Sequence, residues 1–428
     1  MKFAFYTLGC KVNQYETQAM QQLLLEHGHT LGEFDECCDG YIINTCTVTA
    51  VSDKKSRNAI RRVRKQNPDA VIGVCGCYAQ TEPEALRALD VDVLAGTADR
   101  VEFVSQMEQA ARHRTRWEKI EDNRLPQPFE VLPAGGLAAR TRALLKVEDG
   151  CNNFCTYCII PYARGRVRSM PLETAVQEAQ KLAAEGYREI VINGIEISSW
   201  GQERKDGSTL RSLLLAVCRA VPGVRIRLGS LEPRTIDEDF CRTLAGCANL
   251  CPQFHLSLQS GCDTVLRRMN RKYDTARYAE SVRLLRQYFP GCAVTTDLIV
   301  GFPGETEAEF AASLAFIRAC RLAKIHVFPY SRRTGTPAAK MPGQISNAEK
   351  EACAAQAGAA AAELEAAYCQ AQCGTEQDVL FEQAEDGYFT GHAMNYVKVY
   401  VKTGDIHNQV RRVRVTERFR DGVLGELL

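Results

Sequence analysis

From residue 3 to about residue 330 the sequence alternates short β-rich runs with helix-length patterns, and that alternation leaves few folds open. A strand, a helix and a second strand form a right-handed parallel unit whose sheet must be covered on both faces. The first series runs 3–7, 14–27, 41–44, 53–66, 70–74, 82–89 and 91–94. It predicts a small Rossmann-like parallel-sheet domain over residues 1–112, with Asn13 before the first helix and Gly28 after it as caps. Residues 113–142 carry Pro126, Pro128, Pro133, Gly135 and Gly136 among charges and read as a linker.

A second series begins at Ala143, with strands near 143–148, 188–193, 224–229, 254–259, 292–300 and 324–328. Helical patterns follow the first five, such as Pro171–Glu185 closed by Gly186. Six units predict a TIM-like barrel, partial or complete, over residues 143–368, with function in the loops beyond the strand C-termini. An alanine-rich helix over about 347–372 then gives way to Val397, Val399 and Val401 alternating with Lys398, Tyr400 and Lys402, and to a β-rich run at 409–419. That end predicts a small antiparallel β-domain over 369–428. The class is α/β throughout, and 45% hydrophobic with 25% charged residues supplies real cores.

Nineteen cysteines in 428 residues are too sparse for a disulfide scaffold, and an odd count leaves one unpaired. No run approaches the ~18 apolar residues of a membrane span, and the run Phe3–Leu8 is short and followed by Lys11 rather than a cleavage site. The expectation is a reduced, cytoplasmic protein without a membrane span. There, clustered cysteines are metal-binding or catalytic.

The strongest cluster is Cys151-x3-Cys155-x2-Cys158, directly after the first barrel strand. Three thiolates on one loop can hold three irons of a 4Fe-4S cluster and leave the fourth open to a ligand. Zinc is the competing reading, but no second cysteine pair or nearby histidine completes such a site. Cys10, Cys46 and Cys77 each fall just past the C-terminal end of a successive strand, the edge where parallel sheets bind ligands. Cys75 competes with Cys77 but sits one alternation back, within the strand. The pairs Cys37/Cys38, Cys247/Cys251 and Cys369/Cys373 could bind metal, yet free cysteine more often packs as a small hydrophobe.

Polar residues at the remaining barrel strand ends outline a cofactor and substrate pocket. They are Gly194 and Glu196 in the Asn193–Glu196 block, Ser230 and Glu232, Ser257 and Gln259, and the turn 301–305. Arg164, Arg166 and Arg168 beyond the cysteine loop could steer a phosphate or a substrate carboxylate, or could line a solvated loop. Net charge +1 gives no global pull on nucleic acid, so RNA contact must be local. Lys54, Lys55, Arg57, Arg61, Arg62, Arg64 and Lys65 fall on the helix after Cys46, with Arg61, Arg64 and Lys65 able to share a face. Near the C-terminus Lys398, Lys402, Arg411, Arg412, Arg414, Arg418 and Arg420 interleave with Tyr396 and Tyr400, a texture suited to a single-stranded loop whose bases stack on rings. Solvated surface charge is the alternative for both patches.

The Cys151, Cys155, Cys158 loop, with Tyr157 before its last cysteine, resembles the cluster loop of radical S-adenosylmethionine (SAM) enzymes. Thr7–Gln14, Asn44–Val48 and Gly76–Gln80 resemble the three blocks of the methylthiotransferase N-terminal domain, most closely in the branch modifying N6-threonylcarbamoyladenosine in tRNA. The resemblance spans nearly the whole chain. It implies two 4Fe-4S clusters, one on Cys151, Cys155 and Cys158 that binds SAM and cleaves it to a 5′-deoxyadenosyl radical, and one on Cys10, Cys46 and Cys77 that holds the transferred sulfur. Tyr157, Gly194, Glu196, Ser230, Glu232, Ser257 and Gln259 are the expected cofactor contacts, and the last β-domain would be an RNA-binding TRAM barrel. Expected partners are the tRNA anticodon stem-loop, a one-electron donor such as flavodoxin or ferredoxin, and a sulfur source. The same chemistry on isopentenyl-adenosine or on a ribosomal-protein aspartate is the alternative, and a non-enzymatic iron-sulfur RNA-binding protein is the further rival.

Overall fold

The computed structural model describes residues 1–135 and 141–428. Residues 136–140 of the expected linker, Gly136 among them, lie outside the described residues. The N-terminal sheet has strands β1 (Lys2–Thr7), β2 (Thr30–Gly32), β3 (Gly40–Thr45), β4 (Val71–Gly76), β5 (Val93–Ala95) and β6 (Trp117–Lys119). Every pairing is parallel, in the order β2-β1-β3-β4-β5-β6. Helices α1 (Lys11–Glu26), α2 (Ala50–Gln66), α3 (Cys77–Thr81), α4 (Pro83–Arg87) and α5 (Arg100–His113) connect them. Both faces are covered, so β3 and β4 are buried along their whole length. The sheet runs past the expected boundary at 112, because Trp117–Lys119 pairs with β5. Asn13 does not cap α1: Cys10 holds that position and Asn13 lies inside the helix.

The central domain contains β7 (Arg142–Lys146), β8 (Glu148–Asp149), β9 (Arg168–Ser169), β10 (Glu189–Asn193), β11 (Arg225–Leu228), β12 (Ser230–Leu231), β13 (Gln253–Leu256), β14 (Ala293–Val300) and β15 (Lys324–Pro329). Its helices are α6 (Ile160–Arg164), α7 (Leu172–Ala184), α8 (Leu210–Ala220), α9 (Glu238–Ala245), α10 (Asp263–Arg268), α11 (Thr275–Tyr288), α12 (Glu307–Cys320) and α13 (Asn347–Gln370). Two parallel sheets, β7-β10-β11 and β12-β13-β14-β15, meet at Gly229, where one strand passes from the first sheet to the second. The result is a partial barrel of six βα units. Alternation sends Leu145, Ile190, Ile192, Ile226, Phe254, Leu256 and Val294 outward into the core beneath the helices. Arg142, Lys146, Glu189, Asn193, Arg227, His255 and Asp297 have the opposite parity and face the lumen.

The C-terminal strands β16 (Glu376–Glu385), β17 (Tyr388–Ala393), β18 (Lys398–Val401), β19 (Val410–Phe419) and β20 (Gly422–Leu427) close a barrel in the order β16-β17-β18-β20-β19. It packs against the base of the half-barrel through a buried carboxylate. Glu189 receives a bidentate bond from Arg227 (2.6 and 3.0 Å) and an ion pair from Arg225 (3.0 Å). Those arginines in turn donate to the carbonyls of His392, Ala393 and Met394. Although burial opposes its ionisation, the charges of Arg227, Arg225 and Arg142 hold Glu189 at about 2.

A carboxylate held at about 2 stabilises fully above its ordinary value near 4.5 and loses that contribution as pH falls through 2. The difference corresponds to about 3 kcal/mol. Glu189→Gln is therefore expected to lower stability by about 3 kcal/mol at pH 7 and to flatten the loss seen in the wild type between pH 4.5 and 2. Denaturant unfolding of both proteins across that range checks it.

Candidate functional site

Cys10 and Cys77 each begin a helix at the C-terminal edge of the N-terminal sheet, a position whose helix dipole favours a thiolate. Gly76 precedes Cys77 with φ +100°, and a Cβ there would lie 2.5 Å from the Thr45 carbonyl, so only glycine lets β4 turn into α3 this close to β3. Cys46 lies beside this pair: a Cβ on Gly9 would come within 2.9 Å of the Cys46 Cβ. A chain of contacts links the others. Cys10 Sγ donates to Asn13 Oδ1 (3.7 Å), Arg164 Nη2 donates to the same oxygen (2.8 Å), and Arg164 Nε donates to Cys77 Sγ (3.3 Å). The Val48 amide donates to Cys46 Sγ (3.5 Å). Cys75, by contrast, is sealed within β4.

Arg164 belongs to α6, which follows the barrel's cysteine loop, so a side chain of the central domain reaches Cys77 of the N-terminal one. It is fully buried and also bonds Glu16 and Asp149, while Lys146, Arg100 and Arg168 complete the ion network. Arg168 is likewise buried, and Arg166 alone of the three is exposed. Arg164 and Arg168 are thus structural cations, which corrects the expectation that they meet a phosphate or substrate carboxylate.

The loop of Cys151, Cys155 and Cys158 is pinned by the turn after α10. Thr156 N donates to the Met269 carbonyl (3.0 Å), Asn270 to the Phe154 carbonyl (3.0 Å), and Arg271 Nη1 to Cys155 Sγ (3.1 Å). Arg271 also bonds Tyr273, whose hydroxyl donates to the Leu258 carbonyl. Asn153 N donates to Cys151 Sγ (3.5 Å). Tyr157 packs edge-on against Phe302 at 6.5 Å.

Burial pushes the thiols of Cys77 and Cys158 up to about 12 and raises those of Cys46 and Cys151 as well. A bound metal must supply the charge that deprotonates them. The donor set fits iron-sulfur clusters: in each triad, sulfurs accept N–H bonds from backbone or arginine, the outer shell that cluster thiolates use. Among the described residues no three His, Cys, Asp or Glu side chains converge on a single ion. A 4Fe-4S cluster binds each thiolate to its own iron and needs no such convergence.

Of the expected cofactor contacts, Gly194 and Glu196 lie together. A Cβ on Gly194 would meet Glu148 Oε2 at 2.6 Å, and Glu196 N donates to that oxygen (2.7 Å). Burial raises Glu148 well above the carboxylate range and Glu196 to about 7. Glu148 Oε1 and both amide atoms of Asn193 are buried without a partner, which leaves polar capacity for a ligand's amino and carboxylate groups. Glu232 is already paired with Arg234 (2.8 Å), Ser230 is exposed, Ser257 is half-buried, and Gln259 turns at φ +67°. The sequence reading missed Asn13, Glu16, Glu148, Asp149 and Arg271, whose spacing carries no signal.

It also missed Lys11. That side chain is open to water yet ringed by protein, senses Tyr396, Arg227, Arg142 and Glu189 on the lumen floor, and has no ion-pair partner among the described residues. The basic patches are thinner than expected. Arg57 bonds Tyr78, Arg62 pairs with Asp35, and Arg64 pairs with Asp90 and Asp92, leaving Lys54, Lys55, Arg61 and Lys65 exposed. Lys398, Arg412, Arg414 and Arg420 pair with acids, Tyr400 is buried, and Tyr396 lies beneath Arg142 and Arg227.

The radical SAM superfamily model matches residues 145–317, and the model described as uncharacterized protein family UPF0004 matches residues 2–96. A threonylcarbamoyladenosine tRNA methylthiotransferase MtaB of Bacillus subtilis is 41% identical over 420 residues, covering 96% of this chain and 93% of that protein. The protein of the same name from Thermotoga maritima is 35% identical, covering 98% and 95%. A tRNA-2-methylthio-N(6)-dimethylallyladenosine synthase of Carboxydothermus hydrogenoformans is 35% identical over 79% of this chain and 78% of its own. Among solved structures, the radical S-adenosylmethionine methyltransferase TsrM from Kitasatospora setae superposes with a TM-score of 0.58 at 16% identity over 79% and 73% of the two chains, a likeness of fold. No helix among the described residues is long and apolar enough to cross a membrane.

Cys77→Ala is expected to halve the iron of the anaerobically reconstituted protein, and Cys155→Ala to remove the other half. Iron and sulfide assays with Mössbauer spectra check this; a loss of all iron in either variant would contradict two independent centres.

Proposed function

The chain belongs to the radical SAM methylthiotransferases, and from that premise we propose which residues carry out the conversion of N6-threonylcarbamoyladenosine, 3′ to the tRNA anticodon, into its 2-methylthio derivative. The observation that carries the assignment is the pair of cysteine triads on strand-end loops of two domains, which one buried arginine ties together through Cys77, Glu16 and Asp149. The enzyme uses two 4Fe-4S clusters and SAM, which when bound supply the radical that removes the C2 hydrogen and the sulfur and methyl group that replace it.

Cys151, Cys155 and Cys158 hold the SAM-binding cluster, and Cys10, Cys46 and Cys77 hold the auxiliary one. Glu196, Glu148 and Asn193 orient the SAM amino and carboxylate groups, since their unpartnered or raised polar groups await such contacts. Tyr157 walls the pocket beside Phe302. Lys11 reads the threonyl carboxylate, because it is an accessible unpaired cation next to Cys10. That charge favours the threonylcarbamoyl group over an apolar isopentenyl group. Lys54, Lys55, Arg61 and Lys65 face the RNA backbone. A flavodoxin or ferredoxin supplies the electron, a sulfur source serves the auxiliary cluster, and the enzyme works in the cytoplasm.

Nucleosides from tRNA of a strain lacking this protein are expected to lose the methylthio-threonylcarbamoyl species; its persistence in mass spectra would refute the assignment. Lys11→Met is expected to raise KM for a threonylcarbamoyl stem-loop about tenfold. The same variant should leave KM for that RNA's carboxamide analogue unchanged.

A further inference from the structure

The ion network around Arg164 does not balance its own charge. Arg100, Lys146, Arg164 and Arg168 supply four cations against two carboxylates, Glu16 and Asp149. Despite burial, Glu16 is held at about 2 by these same cations and stays ionised, while Asp149 is paired by geometry with Lys146, Arg164 and Arg168. Burial raises the nearby Glu148 and Glu130, which weakens them as further counter-charges. An excess of positive charge therefore sits in a water-poor interface, where leaving it uncompensated is costly. The guanidinium at its centre points Nε at Cys77 Sγ, 3.3 Å away. The group that balances this excess is the anionic thiolate and cluster on Cys10, Cys46 and Cys77.

We propose that Arg164 is a positioning residue for the auxiliary cluster: it orients the Cys77 thiolate, and with its neighbouring cations it raises the reduction potential of that centre. Positive charge and N–H···S bonds stabilise the more negative, reduced state, so potential follows local charge. Because Arg164 also ties Glu16 of the N-terminal domain to Asp149 of the half-barrel, the residue that tunes the centre also fixes where it sits. The inference rests on the two-cluster reading.

The test is an EPR-monitored redox titration of reconstituted wild type, Arg164→Lys, Arg164→Met and the double variant Glu16→Gln/Arg164→Met, which removes one buried charge of each sign and keeps a folded sample available. The midpoint of the auxiliary centre should move to lower potential in Arg164→Met, move in the same direction but less in the charge-balanced double variant, and stay near wild type in the lysine variant. The SAM-binding centre, whose Cys155 is bonded by Arg271 instead, should not move. Loss of the auxiliary iron in Arg164→Met with retention in Arg164→Lys also supports positioning. An unmoved auxiliary midpoint in an iron-replete methionine variant, or equal movement of both midpoints, would overturn it. A wild type containing one centre would instead refute the two-cluster reading.

Discussion

The architecture depends on one buried interaction, the Arg164 guanidinium shared between Glu16, Asp149, Asn13 and Cys77. Burying that many charges costs several kcal/mol per ion unless every one is paired, and breaking one pair strands its partner in a dry interface. Such a network tolerates few geometries. It therefore acts less as a source of stability than as a register pin, setting the N-terminal sheet at one position over the half-barrel. Tyr15, which donates to the Leu132 carbonyl (2.7 Å), and Arg333, paired with Asp53 (2.6 Å), brace the same interface from two other sides.

The opposite end of the half-barrel repeats the device. A partial barrel has a polar lumen open at both mouths, and polar groups lining it need partners or water. Glu189 gathers Arg142, Arg225 and Arg227 at the base, and those arginines grip the backbone of the C-terminal barrel. Tyr396, stacked on His392 at 4.6 Å, forms the floor. The N-terminal domain covers one mouth of the lumen and the small barrel the other, and Lys11 beside Cys10 is exposed and feels the charges of that base.

Much of this was legible in advance. All six half-barrel strands lie where the alternation placed them, because a parallel strand buried on both faces writes itself as a short β-rich run between helices. The cysteine positions were legible for the same reason, since each follows a strand whose end the pattern marks. The arginines were not. Arg164 and Arg166 differ by two residues and look alike in sequence, yet one is sealed in an ion network and the other is exposed. Asn13 resembles a helix cap by composition, but its amide reaches across to the Leu8 and Thr45 carbonyls and lines the cysteine site. On β19 and in the turn after it a run of basic residues looked like an RNA surface, until pairing of Arg412, Arg414 and Arg420 with Glu376, Asp378 and Asp386 neutralised much of it.

The division follows from the range of the forces. Periodicity, glycine turns and cysteine spacing are local, so the sequence by itself determined the α/β class, the three units and the place of the six cysteines on loops past strand ends. Ion pairing and burial depend on residues far apart in the chain. Only the tertiary structure decided that Glu16 and Arg164, separated by 148 positions, meet, that two of three expected ligand-facing arginines are buried, and that Lys11 has no ion-pair partner among the described residues. A charge declares its role only when its partner is in place.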